Sequence, residues 1–104
     1  MQPNKIIGYY KDGSIETEMW RVDDRLHRKN SPAYIEYHYD GSRYCEEWWL
    51  YGRQHREDGH AVIWYNTDGS VWSEEWWVNG EELTKNEIIA KKRKIMIDKI
   101  LCDI

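Results

Sequence analysis

The sequence has no phenylalanine, two prolines, two cysteines and no long apolar run. A membrane-spanning helix needs about 20 consecutive apolar residues, so none is expected. Residues 1–7 are short and mixed in character and do not resemble a signal peptide, so we expect the protein to stay in the compartment where it is made. Cys45 and Cys102 are too few for a disulfide scaffold, and we expect free thiols in a reducing, intracellular environment.

Tryptophan and tyrosine are abundant, with seven and eight copies respectively. Each of these rings carries an N–H or O–H group, which suits a half-buried position where the ring packs and the polar group reaches water or a partner. The 104 residues are enough for one domain, residues 1–104. A chain of this length buries only about 65% of the surface that its unfolded form exposes, so the core should be thin.

The net charge of −4 conceals an asymmetry along the chain. Residues 1–83 contain nine Lys and Arg against sixteen Asp and Glu, or −7, whereas residues 84–104 contain six against three, or +3. An acidic body argues against a phosphate-binding surface there. Only the basic C-terminal segment is expected to attract an anion.

A unit of 28 residues occurs three times between residues 5 and 83. The motif Asp-Gly-Ser recurs at this spacing, with a tyrosine three residues before it and a tryptophan eight residues after its aspartate. A fixed period of this length is typical of supersecondary units that stack on their neighbours. The recurring residues are Tyr9, Tyr37 and Tyr65; Asp12, Asp40 and Asp68; Glu18, Glu46 and Glu74; and Trp20, Trp48 and Trp76.

The flanking patterns predict that each unit is a β-hairpin. Asp-Gly between alternating β-forming residues indicates a two-residue type I′ turn. The strands would cover residues 5–11, 14–22, 32–39, 42–50, 60–67 and 70–78, and a second turn would close each unit, at Asp23-Asp24, Tyr51-Gly52 and Asn79-Gly80. The predicted fold is mainly β, a single-layer six-strand antiparallel meander with one C-terminal helix packed on one face.

Two-residue turns would fix the pairing, with Ile35 opposite Glu46 and Tyr37 opposite Tyr44. One face of the sheet is then predicted to form the core, with Ile7, Tyr9, Trp20, Val22, Ile35, Tyr37, Trp48, Leu50, Ile63, Tyr65, Trp76 and Val78. The other face mixes aromatic and charged residues: Tyr10, Arg21, Tyr34, Glu36, His38, Arg43, Trp49, Trp64 and Trp77. Exposed aromatic patches usually mark an interface, so Tyr34, Trp49, Trp64 and Trp77 form a candidate binding platform; a satellite cluster that supplements a thin core is an equal alternative.

Residues 84–104 predict an amphipathic basic helix, because Thr84 and Glu87 form a capping box. A broad apolar stripe is expected to cover the core face of the sheet: Ile89, Met96, Ile97, Ile100, Leu101 and Ile104. A narrow stripe at heptad spacing, consisting of Ile88, Ile95 and Cys102, could meet a second copy of the chain. We therefore expect a homo-oligomer, most simply a dimer.

The motif Tyr-x-x-Asp-Gly-Ser, then Glu-x-Trp, then Asn-Gly or Tyr-Gly, resembles MORN repeats over residues 5–83. The segment from His55 to Ala61, His-Arg-Glu-Asp-Gly-His-Ala, is similar to the His-Arg-x-Asp-Gly-Pro-Ala variant of repeat proteins in giant DNA viruses and their virophages. The resemblance implies scaffolding or self-association, with lipid contact proposed for some members and no catalytic residues to carry over. It also implies a location in the host cytoplasm or the virion. His60 departs from the pattern, which has proline there, as does Lys29-Asn30-Ser31 in the first copy.

One glutamate per unit, Glu18, Glu46 and Glu74, falls on the predicted core face. An unpaired carboxylate would be costly there. We expect the His-Arg pairs to reach back to these glutamates: His27, Arg28, His55 and Arg56. Such a column could be mistaken for an acid–base site, but an active site is usually single, so the recurrence indicates a structural role.

Other clusters predict no chemistry. The set Cys45, His55, Asp58 and His60 fits no common zinc spacing, so no metal or cofactor is expected. The basic cluster Lys91, Lys92, Arg93 and Lys94 is typical of a solvated helix surface, although it could contact nucleic acid or an anionic membrane. The leading hypothesis is a non-enzymatic module for protein–protein interaction. The alternatives are a nucleic-acid or membrane accessory protein that uses the basic cluster, and carbohydrate binding by Trp49, Trp64 and Trp77.

Overall fold

The computed structural model describes residues 2–102 and contains an open antiparallel sheet with one C-terminal helix, which confirms the predicted fold class. The meander consists of β1 (Asn4–Tyr9), β2 (Ile15–Val22), β4 (Tyr34–Tyr37), β5 (Arg43–Glu47), β8 (Val62–Tyr65) and β9 (Val71–Glu75), in that order. Short strands form the closing hairpins: β3 (Arg25–Leu26) pairs with β2, β6 (Trp49–Leu50) with β7 (Arg53–Gln54), and β10 (Trp77–Val78) with β11 (Glu81–Glu82). The helix α1 spans Lys85–Cys102.

The Asp-Gly hairpins turn through three residues, not two. Gly13 N donates to Tyr10 O at 3.0 Å and Tyr10 N donates to Ser14 O at 2.8 Å, and the same bonds recur in the other two units. Only the glycine of each loop has a positive φ, 89–90°, which is the pattern of a turn followed by a glycine bulge. The predicted type I′ turn was therefore wrong here. Type I′ geometry occurs instead at the closing turns, where Tyr51 and Gly52 have φ of 48° and 81°.

A bulge beside each loop compensates for the extra residue, so most of the predicted register is confirmed. Ile35 lies opposite Glu46, as expected, but Tyr37 lies opposite Arg43 and not Tyr44. Likewise Tyr65 lies opposite Val71. The shift moves Arg43 to the face of Glu46, whereas it was predicted on the other face.

Two faces can be defined by rows of paired residues. The glutamate face carries the row Ile7, Glu18, Ile35, Glu46, Ile63 and Glu74, and the cysteine face carries the row Gly8, Thr17, Glu36, Cys45, Trp64 and Ser73. The buried apolar residues are divided between them: Ala33, Ile35, Ala61 and Trp76 on the glutamate face, and Cys45 and Val62 on the cysteine face. The core is thin, as expected, but it occupies both faces and not one.

In the second and third units, the repeated tryptophan interrupts the second strand of the hairpin. The ladder of β5 ends at Glu47, and Trp48 N donates to Ala61 O at 2.7 Å instead. The predicted strands through residues 50 and 78 are therefore divided, and Ala33 N donates to Glu47 O at 2.9 Å.

The helix does not cover the sheet, which corrects its predicted placement. Its capping box is confirmed, because Glu87 N donates to Thr84 Oγ1 and Thr84 N to Glu87 Oε1. None of its residues is buried, and all five described members of the broad stripe are 44–65% exposed: Ile89, Met96, Ile97, Ile100 and Leu101. Ile104, the sixth, lies outside the described residues. At its midpoint the helix meets the loop before β8, where Lys91 Nζ lies 2.5 Å from Glu57 Oε2. No helix in residues 2–102 is long and apolar enough to cross a membrane.

Candidate interaction surfaces

Two of the three repeated glutamates bind a tyrosine of the next repeat, and not the His-Arg pairs. The Tyr37 hydroxyl donates to Glu18, and the Tyr65 hydroxyl donates to Glu46 Oε1 at 2.5 Å. Burial, together with the bond to Glu46, raises the pKa of Tyr65 to about 12, so the tyrosine stays a donor at neutral pH. Arg43 forms an ion pair with Glu46. This tyrosine–glutamate pairing joins adjacent repeats.

The third glutamate lacks a tyrosine partner among the described residues. Glu74 Oε1 lies 3.3 Å from His60 Nε2, and its side chain is 46% exposed. In the first repeat, Lys5 Nζ lies 2.7 Å from Glu18 Oε2. This ammonium and the Tyr37 hydroxyl hold the pKa of Glu18 below its usual value, with the lysine as the larger cause.

The arginines lie over tryptophan rings, which corrects their expected pairing with glutamate. The guanidinium carbons of Arg28 and Arg56 are each 3.9 Å from the ring centres of Trp20 and Trp48. Arg28 also donates to the carbonyl of Pro32 at 3.2 Å. Guanidinium stacking on indole is an attractive cation–π contact, so each arginine fixes its loop against the tryptophan of its own repeat.

The histidines join each repeat to the closing hairpin of the next. Tyr51 N donates to His27 Nδ1 at 2.9 Å, and Asn79 N donates to His55 Nδ1 at 2.9 Å. The Tyr51 ring also packs on the His27 ring, with centres 4.0 Å apart. His27 is 4% exposed, and burial lowers its pKa. Sequence reasoning missed Tyr51, whose place opposite a histidine 24 residues earlier has no local signal.

Protonation of His27 should make the protein less stable in mild acid. An imidazolium cannot accept the Tyr51 N–H through Nδ1. Because the folded pKa lies below the unfolded value of about 6.5, stability is complete above that pH and falls as the pH drops through it. We expect the melting temperature to fall between pH 7.5 and 5.5. In His27→Asn, whose side-chain carbonyl can accept the same bond, the fall should be shallower.

The melting temperature of His27→Asn should still depend on pH to some extent, because burial also lowers the pKa of His60. Scanning calorimetry of both proteins at matched ionic strength measures the difference between the two slopes. Equal slopes for the wild type and His27→Asn would show that His27 is not the titrating group.

The predicted binding platform is half-buried, and the polar groups of three of its four residues are bonded within the chain. The indole N–H groups of Trp49 and Trp77 donate to Glu47 at 2.9 Å and Glu75 at 2.8 Å. The Tyr34 hydroxyl donates to Glu36 at 2.9 Å. These donors are therefore occupied before any partner binds.

The bulge in the second unit brings Tyr44, which was expected opposite Tyr37 on the other face, into a cluster with Trp64 and Trp72. Tyr44 packs edge-on against Trp64 with ring centres 5.4 Å apart, and Trp72 lies 5.9 Å from Trp64. Trp72 is 56% exposed. The resulting cluster of Tyr44, Trp64 and Trp72 lies on the cysteine face near the edge of the sheet.

The narrow stripe of α1 lies against the body of the protein, where the broad stripe was predicted. Three of its residues are half-buried, Ile88, Lys91 and Ile95, and they lie on one side of the helix. This side therefore faces the body, although Ile88 and Ile95 were predicted to meet a second copy. Cys102, the third member of that stripe, is exposed. The broad stripe, expected on the sheet, faces solvent.

The basic cluster is divided by the geometry of the helix. Lys91 is paired with Glu57 and holds the pKa of that carboxylate below its usual value. Lys92, Arg93 and Lys94 are exposed, but successive residues on a helix point about 100° apart. The cluster therefore presents separate cations and not one basic face.

A cleft of about 360 Å³ lies between the first two His-Arg loops and is lined by Trp48, Leu50 and three cationic side chains, Arg28, Lys29 and Arg56, among others. Glu57 and Asp58 also line it. Arg56 is paired with Asp58 at 3.1 Å, and Glu57 is paired with Lys91 of α1. Both carboxylates of the cleft are therefore already in ion pairs.

Within residues 2–102, no group of three or more His, Cys, Asp and Glu side chains is arranged to hold a metal ion. Cys45 is fully buried, and burial raises the pKa of its thiol. Both cysteines are free. Comparison of the chain with protein-family models, with curated proteins and with solved structures gave no match.

Proposed function

We propose that this protein is a non-enzymatic module that binds protein through the outward face of α1. The observation that carries the proposal is the exposure of Ile89, Met96, Ile97, Ile100 and Leu101 on a helix that has no buried residue. Burial of one such side chain is worth about 1.5–3 kcal/mol. Because these side chains stay exposed when the chain folds, most of this free energy can still be gained by burying them against a partner.

A second copy of the chain is the first candidate partner. The segment that contains α1 carries +3, whereas residues 1–83 carry −7. Opposite charges favour an encounter between α1 of one copy and the body of another. Association through this surface should therefore weaken as salt is added.

Loss of two apolar residues from the outward face should abolish this association. Sedimentation velocity of the full chain at 1 to 100 µM in low salt, which disfavours any association through the sheet edges, is expected to show dimers for the wild type and monomers for the double variant Ile97→Ser and Ile100→Ser. The matched control is Lys94→Ser with Asp98→Ser, which places two serines in the same helix and leaves the net charge unchanged. Dimers in both variants, or in neither variant with a monomeric wild type, would contradict the proposal.

The resemblance to MORN repeats supports a scaffolding role. On the same resemblance we propose that the protein has a viral source and is located in the host cytoplasm or the virion. The pairing of tyrosine with glutamate between repeats also supports a non-enzymatic role, because these carboxylates are occupied by structural contacts. Binding to the module should therefore depend on surface shape and charge.

The second candidate is contact with nucleic acid or an anionic membrane, which the exposure of Lys92, Arg93 and Lys94 favours. Such binding would be strongly salt-dependent, because each cation releases counterions from the phosphates. Binding of duplex DNA and of phosphatidylserine vesicles across a salt series tests it. Salt-dependent affinity that Arg93→Ser weakens would favour this candidate over the first.

A further inference from the structure

The two edge strands of the sheet correspond to the two strands that pair at each internal boundary between repeats. Within the chain, Glu18 of β2 lies opposite Ile35 of β4, and Glu46 of β5 lies opposite Ile63 of β8. These two boundaries have the same register, shifted by 28 residues. The edge strands β9 and β1 contain the next members of the two series, Glu74 and Ile7.

Each edge also carries half of the bond that joins repeats internally. Glu18 and Glu46 accept a tyrosine hydroxyl from the following repeat, whereas Glu74 has a half-exposed carboxylate. The tyrosine that corresponds to Tyr37 and Tyr65 in the first repeat is Tyr9, which is 59% exposed. One edge therefore offers an acceptor and the other a donor.

We propose that the β9 edge of one copy pairs with the β1 edge of a second copy in the internal register. Ser73, Glu74 and Glu75 then lie opposite Gly8, Ile7 and Ile6 of the second copy, and the Tyr9 hydroxyl of the second copy donates to Glu74. Unpaired strand edges readily accept another chain in this way. This interface is separate from the α1 surface of the proposed function, and its test does not depend on the outcome for that surface.

Both edge strands carry exposed side chains in the described part of the chain. Val71 and Trp72 of β9 are 48% and 56% exposed, and Ile6 of β1 is 42% exposed. The ion pair between Lys91 and Glu57 holds α1 against the loop before β8.

Two like charges, one on each copy, weaken this contact between the β9 and β1 edges. Between internal repeats, Arg25 packs against Gly52 and Arg53 against Gly80. At the junction Glu81 replaces the arginine and Asp24 of the second copy replaces the glycine. Added salt screens this repulsion, so the edge interface strengthens with salt, opposite to the α1 surface. The contact is heterologous, so it extends into open chains of copies and not into closed dimers.

An edge lysine is another feature that opposes strand addition. Lys5 stands where the later repeats have the fully buried alanines Ala33 and Ala61. Its ammonium lies 2.7 Å from Glu18 of its own copy, so its charge is compensated within that copy. The main obstacle at the junction is the pair of Glu81 and Asp24.

Mixed cysteine variants test the register directly. One protein carries Ile6→Cys and the other Glu75→Cys, both with Cys102→Ser, Ile97→Ser and Ile100→Ser, so that α1 association is removed. Oxidised glutathione at high salt accepts the two electrons as two thiols become one disulfide. We expect a crosslinked heterodimer from this pair and at least about fivefold less from Ile6→Cys with Val71→Cys, whose cysteines would lie about four residues out of register, or roughly 13 Å. Equal yields, or a dimer of Ile6→Cys with itself, would overturn the register.

A gain of affinity tests the charge argument. In chains that also carry Ile97→Ser and Ile100→Ser, Glu81→Arg restores the residue of the internal repeats and meets Asp24 of the second copy, so head-to-tail association should tighten about tenfold. Glu82→Arg changes the net charge equally one residue away and should have a smaller effect. If the two variants associate equally, or if neither associates at 100 µM, the edge proposal is overturned, whereas dimerisation through α1 is decided separately by the serine variants.

Discussion

Replacement of Trp76 by alanine should be the most damaging single substitution in the sheet. Trp76 is 4% exposed, and its ring lies edge-on to His60 with centres 5.0 Å apart. Removal of a buried tryptophan costs about 3–5 kcal/mol. For a domain of this size that corresponds to a fall in melting temperature of at least about 12 °C. Thermal unfolding followed by circular dichroism measures it.

The repeat supplies its own controls for this prediction. Trp20 and Trp48 occupy the equivalent positions but are half-buried beneath arginine guanidinium groups. Their replacement by alanine should therefore cost less, because less apolar surface is removed from contact. If all three alanine variants melt at the same temperature, the extra burial of Trp76 does not contribute to stability.

The repeat and the strand positions could be predicted from the sequence, because a 28-residue period and Asp-Gly turns are local signals. The turn type could not, since Asp-Gly fits both a two-residue turn and a three-residue loop with a bulge. That single residue moved Arg43 to the glutamate face and Tyr44 to the cysteine face. The register further along the strands survived because loop and bulge compensate each other.

The placement of α1 could not be predicted, because both its stripes are apolar. Helical spacing shows which residues share a side but not which side meets the body. The ion pair between Lys91 and Glu57 lies on the side of Ile88 and Ile95, and it joins residues 34 positions apart. Long-range contacts of this kind leave no periodic signal in the chain.

The partners of the glutamates were also inaccessible to local reasoning. Arginine is a good partner for a carboxylate, so the nearby Arg28 and Arg56 were the natural choice. In the structure the tyrosine hydroxyls come from one repeat later, 19 residues along the chain. The arginines are instead held by the tryptophans and by backbone carbonyls.

Replacement of Glu46 by glutamine should also lower stability substantially. Glu46 is 8% exposed and accepts both the Tyr65 hydroxyl and the Arg43 guanidinium. Hydrogen bonds to a charged group contribute about 1.5–3 kcal/mol, and glutamine retains one acceptor but not the charge. Because Arg43 is half exposed, its share of the loss is discounted for solvent. We expect a loss of about 1–2 kcal/mol in urea unfolding.

A double-mutant cycle separates the tyrosine from the arginine. Tyr65→Phe removes the hydroxyl and leaves the ring in place, so its coupling energy with Glu46→Gln reports the bond between repeats. We expect this coupling to exceed that between Arg43→Gln and Glu46→Gln, because the tyrosine is more buried than the arginine. Since the bond spans two repeats, its loss should also let the third repeat exchange amide hydrogens faster than the first. Additive losses in the first cycle would mean that the bond between Tyr65 and Glu46 does not contribute to holding the repeats together.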